Sequence, residues 1–89
     1  MTETADARAK RQLMRSWRRG TKEMDLILGP WAEAHLAALT PADVVLYDQL
    51  LDENDQDLMQ WVLGQTTAPA AIAPLIATIA AYASTRLTR

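Results

Sequence analysis

Residues 18–25 read Arg18-Arg19-Gly20-Thr21-Lys22-Glu23-Met24-Asp25. One helical pattern stops here and another begins, so this octapeptide sets the class of the fold. Upstream, Leu13, Met14 and Trp17 recur at i, i+1 and i+4 among cations, which predicts an amphipathic helix over about 4–18. Gly20 is its expected stop, because glycine enters a left-handed cap without penalty. Thr21 is the expected N-cap of the next helix, with Glu23 and Asp25 in its first turns, where carboxylates favour exposed amides.

Outward from this corner every segment reads as helix. The second runs over about 21–38, its stripe formed by Met24, Ile27, Leu28, Trp31, Leu36 and Leu39. Gly29-Pro30 is expected to kink or restart it at Pro30, since proline removes one internal hydrogen bond. Thr40-Pro41-Ala42-Asp43 combines an N-cap, a proline at the first helical position and an acid at the third. It opens a helix over 41–51 with Val44, Tyr47, Leu50 and Leu51 inward. Asn54 or Asp55 caps a fourth over 55–63, with Leu58, Trp61 and Val62 inward and Gly64 as its stop. A loop leads to a fifth over about 70–87, whose seam is Ile72, Leu75, Ile76, Ile79, Ala83 and Leu87. No period-2 alternation persists. The expected fold is all-α, a compact five-helix bundle in a single domain spanning 1–89.

Composition narrows the function. Eighty-nine residues without cysteine exclude a disulfide framework, a thiolate metal site and a cysteine nucleophile. The single His35 excludes a two-histidine metal motif, and with no nucleophile beside it, it reads as a surface or boundary histidine. Asp48, Asp52, Glu53, Asp55 and Asp57 lack the glycine and terminal glutamate of a calcium loop and read as a solvated turn with helix caps. No metal and no catalytic residue are expected. No apolar run approaches a membrane span, and the acid-bearing start, Met1 to Asp6, resembles neither a secretory signal nor a transit peptide. A cytoplasmic protein without membrane insertion is the expectation.

The net charge of −2 hides a strong asymmetry. Residues 1–23 hold seven cations and three acids, whereas residues 24–85 hold eight acids and no Lys or Arg. A basic first helix meets the electrostatic requirement for nucleic acid. The acidic balance of the whole and the absence of a recognition helix argue against that partner. Trp17, Trp31 and Trp61 fall at apolar helical positions, and Trp17, beside the charged corner, is the one expected to stay exposed. Solvated arginines and a capped turn would account for the corner on structural grounds alone. Read for function, it is a polar contact surface in which an arginine and a carboxylate flank a glycine that lets another chain approach.

Arg19-Gly20-Thr21-Lys22-Glu23 fits the RGxxE motif of the small succinate dehydrogenase assembly factors, the flavinators, and the full octapeptide resembles their RRGxxELD with Met24 in place of Leu. Downstream, Leu50-Leu51-Asp52-Glu53-Asn54-Asp55-Gln56-Asp57-Leu58-Met59-Gln60-Trp61 is similar to the family's LLExxDxDLxxW. The resemblance covers residues 8–63 and implies a five-helix domain of this size. It implies a partner, the flavoprotein subunit of succinate dehydrogenase, with that of fumarate reductase as a second client. It implies a role in attaching FAD covalently to a histidine of that subunit, so His35 is not implicated. FAD is handled transiently or only through the partner, with none bound tightly. Arg19, Gly20 and Glu23 are the implied contact surface, flanked by Arg15, Arg18, Trp17 and Asp25. Arg19→Ala, a bulky residue at Gly20 and Glu23→Ala are expected to leave the fold intact. The alternative is a regulatory or antitoxin-like module that binds a protein through the basic first helix.

Overall fold

Four side chains open the helices. In the computed structural model, which describes residues 3–87, Thr4, Thr21, Thr40 and Asn54 each accept a backbone N–H three residues on, at 3.0, 3.3, 3.2 and 2.8 Å. These caps start α1 (Ala5–Trp17), α2 (Lys22–His35), α3 (Pro41–Leu51) and α4 (Asp55–Val62), and α5 (Ala73–Leu87) closes the bundle. A 3₁₀ turn, Leu36–Ala38, follows α2. The described residues contain no strand. Asn54 is the α4 cap, and its amide returns a hydrogen bond to Asp57 at 2.9 Å, so cap and third residue satisfy one another.

Glycine and proline depart from the sequence expectation at three points. Gly20 is not left-handed; among the described residues only Gly64 has positive φ, at 76°. There the α4 end closes as expected: Gln65 N–H reaches the Gln60 carbonyl at 2.8 Å and Gly64 N–H the Trp61 carbonyl at 3.1 Å, the paired bonds of a glycine-terminated helix. Pro30 does not end α2, which runs unbroken from Lys22 to His35. Ile27, Leu28, Trp31 and Ala32 are all buried, so packing on both sides of the proline offsets the missing bond. α5 begins at Ala73 rather than Ala70. Pro74 has no N–H to give the Ala70 carbonyl, so the helical ladder cannot extend back to that residue.

The core is Met24, Leu28, Trp31, Tyr47, Leu50, Leu51, Leu58 and Ile79, none more than 1% exposed, with the inward residues of α5 packed on them. Trp31 stacks on His35 and tilts against Tyr47, both centroids 5.1 Å away, and its buried indole N–H has no partner among the described residues. The side chain of Leu87, placed on the α5 seam by the sequence, lies outside the described residues.

The contact of α1 with α3 is polar, which its apolar pattern did not foretell. Met14 is 53% exposed, while Gln12 and Ser16 are buried. Gln12 Nε2 donates to the Val44 carbonyl at 3.0 Å and to Asp48 at 2.9 Å. Ser16 Oγ lies 2.6 Å from the Tyr47 hydroxyl and donates to the Gln12 carbonyl at 2.7 Å. Arg11 grips Asp48 through two bonds, 3.0 and 2.9 Å, and also holds Glu3. Its hydrogen bonds hold both carboxyls below the ordinary range.

Burial pushes the Tyr47 hydroxyl from 10 up to about 12. The unfolded chain ionises this group near pH 10 and the folded protein only near 12, so its contribution is intact below pH 10 and lost as pH rises between the two. We expect stability to fall by about 2 kcal/mol over that interval from this residue. Tyr47→Phe should remove that part of the alkaline slope in thermal melts recorded from pH 8 to 12.

Candidate functional site

Arg19 faces inward. Its side chain is 9% exposed and pairs with Asp55, itself 13% exposed, through Nε at 2.9 Å. The guanidinium's other two nitrogens donate to the Leu51 carbonyl at 2.7 Å and the Glu53 carbonyl at 2.6 Å. All three acceptors belong to the end of α3, the turn beyond it and the start of α4. A cation is favourable among the free carbonyls at a helix C-terminus, and a carboxylate beside the free amides at a helix N-terminus. Arg15 reinforces the same turn, donating to the Leu51 carbonyl at 2.9 Å and to Asp52 at 3.1 Å.

Asp55 also reaches back into the corner. Its Oδ2 accepts the Thr21 backbone N–H at 3.0 Å, with the Thr21 hydroxyl at 3.4 Å. A Cβ on Gly20 would lie 3.1 Å from that same oxygen. Glycine is therefore used for the close approach of Asp55 within the chain, rather than to end α1 as expected. Asp25 takes the Arg19 backbone N–H and fixes the corner from the α2 side.

Gly20, Arg18, Lys22 and Glu23 are exposed. Glu23 and Arg18 make no ion pair among the described residues. Two shallow depressions adjoin here along α2 and α4, one bordered by Gly20 and Asn54, the other by Glu23, Met59 and Gln60, with Thr21, Asp55 and Gln56 common to both. The corner and the second sequence block thus form one surface. Asp55, read from sequence only as a helix cap, is the residue that joins them. The signal was present in the joint occurrence of the two blocks, but the pairing itself spans 36 positions.

Of the flanking candidates, Trp17 lies apart from this groove. Its indole packs over Gly29, where a Cβ would sit inside the ring, and its Nε1 donates to Glu33 at 2.8 Å. It is 36% exposed. His35 is half-buried, its Nδ1 3.0 Å from the Trp31 carbonyl. Among the described residues no group of acids and histidines is arranged to hold a metal.

A family model described as the flavinator of succinate dehydrogenase matches residues 10–83. The chain belongs to this family. Flavinator relatives include succinate dehydrogenase assembly factor 2, mitochondrial, of Meyerozyma guilliermondii, 41% identical over 59 residues that cover 66% of this chain and 44% of the relative. The protein of the same name from Schizosaccharomyces pombe is 39% identical over 67 residues, 75% of this chain and 48% of its own length. The Penicillium rubens protein is 39% identical over 72 residues, 81% and 22% respectively. The matched region spans less than half the length of each of these relatives. All three are named mitochondrial, a compartment other than the cytoplasm expected from the sequence. No helix of the described residues is long and apolar enough to cross a membrane.

Arg19→Ala leaves Asp55 without its ion pair and the Glu53 carbonyl without its side-chain donor, while the Leu51 carbonyl keeps only Arg15. Breaking a buried pair from one side costs about 3 kcal/mol, so the expectation from sequence that this substitution spares the fold is replaced. Urea unfolding of the Arg19→Ala protein should show that loss, whereas Glu23→Ala, on the exposed rim, should change stability by less than about 0.5 kcal/mol.

Proposed function

We propose that this flavinator-family chain is an assembly factor without an active site of its own, which binds the flavoprotein subunit of succinate dehydrogenase and promotes covalent attachment of FAD to it. The observation that carries this reading is the joining of two sequence blocks, both inside the family match, into one surface around Gly20, Thr21, Glu23 and Asp55. The fumarate reductase flavoprotein subunit is the second client we propose. FAD is met through the partner or in transit, since the groove is shallow and open.

The roles within the corner divide by burial. Glu23, which forms no ion pair among the described residues, offers its carboxylate to a cation or amide of the partner. Arg18 and Lys22 add outward positive charge on either side of the glycine. Gly20 keeps the backbone low, and Arg19 acts from beneath by holding residues 19–21 against α4. The chemistry belongs to the partner: holding an unfinished subunit in a reactive geometry lowers its barrier by prepaid orientation. The alternative reading through a basic first helix has less support, because Arg11 and Arg15 spend their donors on acids and carbonyls of α3 and its end.

Co-expression with the succinate dehydrogenase flavoprotein subunit tests the reading, with covalent flavin measured by in-gel fluorescence. Flavin should rise above the level reached by the subunit alone. Glu23→Ala should remove at least about nine-tenths of the increase, the effect of losing one charge-assisted contact, with an unchanged melting temperature. No increase with the unaltered chain overturns the proposal.

A further inference from the structure

Away from the corner, a cleft between α2 and α5 is lined by Trp17, Pro30, Glu33, Ala34 and Tyr82. We propose that it receives an arginine side chain of a partner protein. The sequence gives up helical stability to build it. Gly29 costs about 1 kcal/mol relative to alanine inside a helix, and it is the absence of a Cβ there that lets the Trp17 ring lie down on α2. The next residue, Pro30, removes a helical hydrogen bond. What these two positions support is a partly exposed indole held in one orientation by its hydrogen bond to Glu33.

The chemistry of the cleft selects a planar cation. The indole face attracts cations more strongly than any other side-chain ring, and a guanidinium stacks flat upon it. Tyr82 adds a second ring, oriented by its edge-on contact with His35 at 5.0 Å. Glu33 supplies the charge. One of its oxygens accepts the Trp17 N–H, the other accepts no hydrogen bond from the described residues, and no described cation pairs with it. Lys10 lines an adjoining depression that Glu33 also borders, yet forms no ion pair with it. A carboxylate beside two rings, unneutralised by any described cation, is complementary to an incoming guanidinium.

The test uses the full chain and a capped Gly-Arg-Gly peptide, with citrulline in place of arginine as the neutral isostere. The Trp17 indole N–H is followed by heteronuclear NMR. It should shift saturably with the arginine peptide and at least about fivefold less with the citrulline peptide at equal concentration. Glu33→Gln keeps an acceptor for the indole but loses the charge, and should weaken binding about fivefold. Gly29→Ala, which displaces the ring, should lose the response with helical content unchanged. Equal response to the two peptides, no shift at Trp17, or full affinity in Glu33→Gln overturns the proposal. The result is independent of whether the corner binds the flavoprotein subunit, because no such subunit is present in the experiment.

Discussion

One guanidinium joins the two halves of this domain. Arg19 leaves the end of α1 and closes on the turn between α3 and α4 through Leu51, Glu53 and Asp55. Removing a charge from water costs several kcal/mol, and only dense, well-aligned partners return it. Here each guanidinium nitrogen has an acceptor, and each acceptor sits where a helix end already favours the arrangement. Asp55 passes the constraint back to Thr21, so that the first turn of α2 is set by the first turn of α4. The low profile of Gly20 and the outward stance of Glu23 follow from it.

The polar contact between α1 and α3 explains how so charged a helix is held at all. A helix with few large apolar residues gains little from burial alone. Gln12, Ser16 and Arg11 compensate through bonds to Val44, Tyr47 and Asp48 that fit one register only. Satisfied polar networks of this kind contribute uniqueness rather than bulk stability. A sliding α1 would break every one of them and would also withdraw Arg15 and Arg19 from the α3–α4 turn. The seam and the corner therefore keep each other in place.

Most of the helices were legible because their ends carry local chemistry. Thr40-Pro41-Ala42-Asp43 and Gly64 need only their immediate neighbours to act. Gly20, Gly29 and Pro30 were misread or half-read for the opposite reason. Gly20 answers to Asp55 and Gly29 to Trp17, and neither partner is adjacent in the chain. Pro30 is tolerated because buried residues flank it, a tertiary fact. The candidate surface divides in the same way. Glu23 could be read as exposed from its place in the first turn of α2. The inward turn of Arg19 could not, since an arginine next to a helix end looks solvated until the carboxylate from a distant segment is placed beside it.

The long reach of Arg19 has a consequence for the order of events in folding. Its acceptors lie 32, 34 and 36 positions along the chain, so no local segment can assemble this corner early. Loop closure over that distance must come before the contacts that reward it. The α1–α2 and α3–α4 pairs have to dock before residues 19–21 take their final shape. A nascent or damaged copy, even one with its helices formed, would present the wrong surface. The surface of the corner is thus complete only once the whole domain has docked.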